Sequence, residues 1–281
     1  MIARTSLLIA VAIALGMAIG AAFGGKGMWI GLAFASAIVG NSYWRGEIIT
    51  IRAHQARQPQ GKQEAAVASL VAVLAQRAKM PTPMVWFTDN PQPNAFACGR
   101  SPTHSSIVIT TGLLSALSKN EIIGVIAHEL AHINNRDTLL LTVSSTIAGI
   151  IAGFGALFTI AGLLTARRGG LIAAGLGFFA MLAAGIIHLS IGRSREFMAD
   201  HDGAELCGHP EWIMKALRKL AHHAKAIPNS SAQANPGTIP LFTVNPVPDD
   251  AWFTRVFSTH PPMEDRIARL QAMLPTPILP P

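Results

Sequence analysis

The sequence predicts a mostly helical α+β membrane protein with a small sheet and about four transmembrane helices. Half of the 281 residues are hydrophobic and only 13% are charged, which is more apolar than an ordinary soluble protein. Four uncharged runs are each long enough to cross a bilayer. The remaining sequence carries amphipathic helical patterns and two short runs rich in β-branched residues, which indicates a helical domain with a few strands.

The first two uncharged runs cover residues 5–25 and 27–44. The first run alone would also fit a cleaved signal peptide, because it follows Arg4 and ends in small residues. Only Lys26 separates the two runs, and so short a turn favours a membrane hairpin over residues 1–44. More basic residues follow the hairpin than occupy its turn, so the positive-inside rule places the following chain in the cytoplasm.

Residues 45–137 form the first half of the predicted cytoplasmic domain. Periodicity and turn residues predict, in order, an amphipathic helix, a strand, a loop and a second strand, at residues 63–80, 84–88, 89–100 and 106–111. A strand beside an active site can pair with an extended peptide and hold it in place.

A metal-binding pattern follows on the next predicted helix, which begins with a capping box of Ser118 and Glu121. His128 and His132 are four residues apart, so both imidazoles project from one helix face and can bind one zinc ion. Glu129 lies beside them as a candidate general base. The spacing therefore predicts a zinc hydrolase.

Residues 138–192 form the second predicted membrane hairpin, with Arg167 and Arg168 in its turn. Two crossings return the chain to the side of His128, so residues 193–281 can complete the same domain. The two arginines oppose the positive-inside rule, and a re-entrant or protein-buried segment remains an alternative.

A catalytic zinc keeps three protein ligands and one open position. Glu196 and Asp200 share one helix face after the second hairpin. Glu196 is the candidate third ligand, and Asp200 is the candidate acceptor for the ring N–H of a ligating histidine. Four further histidines compete for the ligand role without comparable spacing: His201, His209, His222 and His223.

Several motifs resemble those of the HtpX family of membrane zinc metalloproteases. They are HELAH at 128–132, NRD at 135–137, SRE at 194–196 with AD at 199–200, STHPP at 258–262, and PNAFA at 93–97 running through GR at 99–100 into ITTGLL at 109–114. The resemblance covers nearly the whole chain. It implies a gluzincin-type endopeptidase with one zinc per subunit, placed in the bacterial inner membrane with its active site in the cytoplasm. It also implies membrane-protein quality control under stress, and a relation to the CAAX prenyl protease group.

The oxygen that becomes negative during peptide hydrolysis needs an electrophile besides zinc. His260 is the candidate, because the single tyrosine, Tyr43, lies at a predicted membrane boundary. Its alternative role is structural, since Pro261 and Pro262 begin the predicted terminal helix at 264–274. Arg195 and Arg266 are further alternatives. The resemblance implies that Asn94 and Ala95 contact the substrate backbone, and residues 227–250 predict a mobile loop near the cleft.

Composition narrows the remaining functions. The formal charge of +7 does not indicate nucleic-acid binding, because the basic residues form no block and aromatic residues make up only 6%. A metal transporter or sensor is disfavoured because the four uncharged runs contain no Asp or Glu. A latent pseudoprotease is the third class, and the intact Glu129 argues against it. Proteins, peptides and the lipid bilayer are the expected partners.

Overall fold

The computed structural model describes residues 2–21, 24–144, 159–160, 163–164, 175, 193–246 and 260–274. Within these ranges the helices are α1 (Ile2–Ala21), α2 (Gly25–Ala53), α3 (Gly61–Arg77), α4 (Thr111–Ala116), α5 (Lys119–Asn134), α6 (Arg193–Cys207), α7 (Pro210–Ala226), α8 (Ser230–Ala234), a 3-10 helix (Pro236–Leu241) and α9 (Met263–Gln271). The strands are β1 (Met84–Thr88), β2 (Ala95–Ser101) and β3 (His104–Thr110). The predicted class of helical domain with a small sheet agrees with this content.

The three strands form one sheet in the order β1-β3-β2. β3 lies in the centre, parallel to β1 and antiparallel to β2. Its Ile107, Val108 and Ile109 are buried, as expected for a β-branched run covered on both faces. β2 pairs with β3 on one side, which leaves the other edge of β2 toward the cleft described below.

α5 is the central helix of the domain, and almost all of its residues are buried. The predicted capping box is present: the Ser118 side chain accepts from the Glu121 N–H, and the Glu121 carboxylate accepts from the Ser118 N–H. Two glycines let neighbouring helices approach closely. A Cβ at Gly124 would lie 2.9 Å from the Ile213 nitrogen of α7, and one at Gly203 of α6 would lie 2.9 Å from the His128 nitrogen. These contacts bring α6 within reach of the motif face of α5.

α1 and α2 pack against each other as a helical hairpin. Gly16, Gly20 and Gly31 lie at their interface, where a Cβ on any of them would collide with the opposite backbone or side chain. Small residues of this kind permit close helix approach. Among the described residues, no helix combines the length and apolar character that a membrane crossing requires.

One predicted element was wrong. Residues 89–100 were expected to form a loop, but residues from Ala95 onward form strand β2. This segment has few β-branched residues, and its pairing with β3 rather than its propensity makes it a strand. The second predicted hairpin lies outside the described residues, apart from helical residues 138–144 and a few isolated positions. The expected loop at 227–250 contains α8 and the 3-10 helix, and its last four residues lie outside the described chain.

Candidate metal centre

The two motif histidines lie side by side on α5, with ring centroids 4.7 Å apart. His128 is fully buried and His132 is 5% exposed. Glu196 of α6 faces both rings: its Oε1 lies 3.4 Å from His132 Nε2, and its Oε2 lies 3.8 Å from His128 Nε2. The structure therefore brings the three predicted ligands into one buried group.

A carboxylate stands behind each histidine. Asp200 Oδ1 lies 3.0 Å from His128 Nδ1, and Asp137 Oδ2 lies 3.1 Å from His132 Nδ1. A carboxylate that accepts from Nδ1–H fixes the tautomer in which Nε2 carries the free lone pair. The hydrogen bond of His132 Nδ1 with Asp137 holds its Nε2 toward Glu196, whereas His128 Nδ1 lies close to Asp200 without a hydrogen bond of good geometry. Asp137 in turn forms an ion pair with Arg195, which fixes its orientation.

Arg266 of α9 is a fully buried cation within this group. Its guanidinium lies 2.7 Å from each Asp200 oxygen and 3.2 Å from Glu196 Oε2. Burial raises the pKa of Glu196, but the charge of Arg266 and the hydrogen bond with His132 outweigh it and hold that pKa well below its usual range. Burial likewise opposes ionisation of Asp200, and Arg266 lowers its pKa. Both carboxylates are therefore ionised at neutral pH.

The environment of His132 favours a positive charge. Burial lowers the pKa of His132, but the hydrogen bond with Asp137 and the nearby Glu196 outweigh it and raise the pKa to about 10. An environment that favours a proton on His132 Nε2 also favours a metal cation there, because both bind the same lone pair.

The residues present fit a catalytic zinc ion. Ligands about 2.0–2.2 Å from a tetrahedral zinc lie about 3.3–3.5 Å from one another, and the two observed N···O separations are 3.4 and 3.8 Å. Within the described part of the chain, Glu196 Oε2 is buried and accepts no hydrogen bond of good geometry, so it retains a free lone pair. Two neutral imidazoles and one carboxylate are a donor set found in zinc hydrolases.

Glu129 lies on the same helix between the two histidines and is 1% exposed. Its Oε1 lies 2.6 Å from the Thr243 hydroxyl oxygen, which is also 2.9 Å from the Ala95 carbonyl oxygen. A hydroxyl carries one proton, so Thr243 donates to one of these acceptors at a time. No sequence pattern pointed to Thr243.

His260 is buried beside the group, and its Nε2 lies 2.6 Å from the Phe242 carbonyl oxygen. Burial lowers the pKa of His260, so its ring is neutral at pH 7 and Nε2 donates to this carbonyl. It does not cap the terminal helix, which begins after Pro262 without a side-chain cap. The predicted substrate contacts, Asn94 and Ala95, are buried and bind residues 243 and 244 of the same chain.

The four competing histidines lie away from the group. His201, His209 and His222 are exposed, and His223 is partly buried. A second possible cluster of ligands, His201, Asp202 and Glu205, lies largely exposed on α6. Sequence reasoning gave no role to Asp137, which lies five residues after His132 and just past the end of α5. It named Arg266 only as an alternative electrophile, and the sole signal for it was a basic residue in an amphipathic helix.

Residues 61–274, including every member of the group, match the profile of peptidase family M48. The chain belongs to this family. M48 is a family of zinc metalloproteases, the type of protein that the HELAH motif and its resemblance to HtpX predicted. Among solved structures, this M48 peptidase resembles Ste24p from S. mikatae, with 19% identity and a TM-score of 0.52. The match covers 95% of this chain but 64% of that one, and at this identity it shows a shared fold.

Proposed function

We propose that the chain is a membrane-bound zinc endopeptidase of HtpX type that hydrolyses peptide bonds of misfolded or membrane proteins. The observation that carries the proposal is the convergence of His128 Nε2, His132 Nε2 and a Glu196 oxygen beside Glu129. Its placement in the bacterial inner membrane, with a role in stress-linked quality control, rests on the resemblance of the motifs to those of HtpX.

In the proposed mechanism His128, His132 and Glu196 hold the zinc ion. A zinc ion held there would supply the Lewis-acid chemistry needed for activation of water and polarisation of the scissile carbonyl. Glu129 takes the proton from the attacking water and delivers it to the leaving amine. A buried carboxylate suits both steps, because it holds the proton within a site from which bulk water is excluded.

Two carboxylates lie against the ligand histidines, and His260 lies beside them. Asp137 binds His132 Nδ1, and Asp200 lies 3.0 Å from His128 Nδ1, so each carboxylate lies on the side of its ring away from the ligand position. Neutral His260 is placed to donate a hydrogen bond to a peptide carbonyl, as it does to Phe242. We propose that His260 acts as a hydrogen-bond donor to the oxyanion and not as a structural residue, because a neutral imidazole can stabilise a developing oxyanion.

We also propose that the α1–α2 hairpin is the membrane-associated part of the protein. The first uncharged run supports this, and so do the exposed large apolar side chains of α2, which include Trp29, Ile30 and Phe34. An exposed patch of this kind is typical of a surface that contacts lipid or another protein. Quenching of tryptophan fluorescence by brominated lipids in reconstituted vesicles tests the proposal, and an unquenched Trp29 would contradict it.

The proposed activity is tested with Glu129→Gln and wild type, both purified in detergent. We expect both to bind about one zinc per chain, while the rate of casein cleavage falls by about 10²–10⁴-fold in the variant, the range for loss of a general base. Glu205→Gln is the matched control, because Glu205 is an exposed carboxylate on α6. A chelator abolishes the wild-type activity.

The same assay separates the alternatives. Zinc binding without cleavage of any substrate by wild type would favour a metal sensor or a latent protein. Cleavage that persists in Glu129→Gln would exclude the proposed base. Failure of both proteins to bind zinc would overturn the assignment of His128, His132 and Glu196 as ligands.

A further inference from the structure

The free edge of β2 is occupied by the chain itself. Residues 241–244, called here the cleft segment, lie antiparallel to β2, with Phe242 opposite Phe96. The Thr243 N–H donates to the Ala95 carbonyl over 2.9 Å. A peptide that adds as a strand to a sheet edge forms the same main-chain bonds. The cleft segment therefore lies where an extended peptide would pair with this sheet.

The cleft segment also contacts the residues assigned to catalysis. The Thr243 hydroxyl lies 2.6 Å from Glu129, in hydrogen-bonding contact with the atom that must accept a proton from water. The Phe242 carbonyl accepts from His260 at 2.6 Å. The Thr243 carbonyl accepts from Arg266 Nη1 at 2.9 Å, and the same nitrogen lies 3.2 Å from Glu196. Two adjacent residues, Phe242 and Thr243, thus contact the proposed base, the candidate electrophile and the arginine that pairs with Glu196.

The Phe242 side chain fills an aromatic pocket next to this centre. Its ring centroid lies 4.9 Å from that of Phe96 and 5.4 Å from that of His54. Phe242 is 2% exposed, and the pocket belongs to a buried apolar cluster with Ile51 and Val108. A pocket of this composition accepts an aromatic or large aliphatic side chain and excludes a charged one.

The pairing is limited to one bridge, whereas β1 and β3 pair over five residues. Val244, His260 and Arg266 also line a cavity of about 820 Å³. The cleft segment therefore has the β2 edge on one side and, among the described residues, open volume on the other.

We propose that the cleft segment is an internal competitor for the peptide groove, so that a substrate must displace it from β2 before Glu129 can act. The proposal rests on the proposed function of the same site and adds its regulation and substrate class. A substrate that replaces the segment places an aromatic or large apolar side chain between His54 and Phe96. Its carbonyl then takes the position that the Phe242 carbonyl holds at His260.

Phe242→Ala tests the proposal, because it removes the ring that anchors the segment while leaving its backbone. A competitor that occupies the site most of the time raises the apparent KM by the inverse of the free fraction, so we expect KM to fall by about tenfold in Phe242→Ala with kcat within about twofold. The substrates are two quenched fluorescent peptides that differ only by Phe or Ser at one position. Wild type and variant should both prefer the Phe peptide.

Phe87→Ala is the matched control. Phe87 is a fully buried phenylalanine on β1, the opposite edge of the sheet, so its truncation loosens the fold to a similar degree without touching the cleft. We expect its KM to stay at the wild-type value. If wild type cleaves and Phe242→Ala shows an unchanged or higher KM, the segment builds the site and the competitor proposal is wrong. If Phe87→Ala lowers KM equally, general loosening explains the effect and the proposal is also wrong.

The two proposals fail in different ways. If zinc-loaded wild type cleaves neither peptide and Phe242→Ala cleaves them, both the peptidase proposal and the competitor proposal are supported. If neither protein cleaves the peptides, the proposed peptidase function is contradicted. Should Phe242→Ala fail to fold, hydrogen exchange on wild type replaces it, with and without a hydroxamate-capped phenylalanyl peptide. Faster exchange of amides 241–244 on binding supports displacement, whereas unchanged or slower exchange overturns it.

Discussion

Two buried polar clusters contact the cleft segment and differ in chemistry. The charged cluster surrounds Glu196 and contains His128, His132, Asp200 and Arg266. The amide cluster consists of Asn90, Gln92, Asn94 and Asn229, all of them buried.

Every amide in the second cluster finds partners inside the protein. Asn229 accepts from Asn90 at 2.8 Å and donates to Gln92 at 2.9 Å. Gln92 donates to the carbonyls of Ile227 and Pro246, at the two ends of the segment that carries α8 and the 3-10 helix. In the charged cluster, by contrast, two imidazole nitrogens and one carboxylate oxygen converge on a common position. A polar cluster whose hydrogen-bonding groups are all paired within the protein stabilises the fold. Lone pairs that converge on a common position indicate a ligand site.

Arg266→Met should have the largest effect on stability, because it breaks the charged cluster. It leaves the Asp200 and Glu196 carboxylates buried without their cation, which costs about 3–5 kcal/mol of unfolding free energy. Arg269→Met is the control on the same helix, where an exposed guanidinium lies 3.8 Å from the Phe197 ring. Urea unfolding of the metal-free proteins measures the free energy of unfolding of both variants. Equal losses in the two would show that the buried cation stabilises the fold no more than the exposed one.

Asn229→Ala should have the next largest effect, because it breaks the amide cluster. The change leaves Asn90 and Gln92 with unsatisfied buried groups and removes the cap of α8, so we expect a loss of about 2–3 kcal/mol. Zinc content should stay at the wild-type value, since no amide faces the ligands. Gln233→Ala, at an exposed position of α8, provides the reference. Loss of zinc together with stability would contradict the separation of the two clusters.

His54 provides the smallest and most specific test. It is a titratable residue that binds the segment carrying α8 and the 3-10 helix. It is 2% exposed, and its ring nitrogens lie 2.5 Å from the Ser231 hydroxyl and 2.9 Å from the Thr238 hydroxyl. Burial lowers the pKa of His54 from 6.5 to about 4. Between these values the unfolded chain binds the proton more readily, so stability must fall as pH decreases through this window.

Wild type should therefore lose about 1–2 kcal/mol more stability than His54→Gln between pH 7 and pH 5, which is part of the full pKa difference. Thermal unfolding at the two pH values measures the difference. Parallel pH profiles for the two proteins would show that the neutral His54 ring makes no such contribution.

Local signals in the sequence predicted the parts of the fold that depend on local chemistry. The capping box at Ser118, the helix of His128 and His132, and strand β1 were all predicted from residue spacing and type. The pairing of Glu196 with the motif depended on helix-face spacing and on the family resemblance. The capping box, the motif helix and strand β1 need only contacts within a few residues, which a pattern can encode.

Features that depend on contacts between distant segments could not be predicted. β2 is a strand because β3 pairs with it, and Thr243 reaches Glu129 across 114 positions of sequence. Burial of Arg266 requires α5, α6 and α9 to pack together, and nothing in the sequence near α9 indicates such an environment. The expected loop at 227–250 was polar in composition, yet residues 240–244 are buried because the cleft receives them.

The order in which the chain is synthesised gives the position of Arg266 a further meaning. Arg266 follows His128 by 138 positions, and Glu196 lies between them. At about 5–20 residues per second, the ribosome needs roughly 7–28 seconds to reach Arg266 after it has made the motif helix. During that interval the two histidines exist without Arg266, and for about the first half of it also without Glu196. The charged cluster is therefore complete only once α9 has been made and has docked beside α5 and α6.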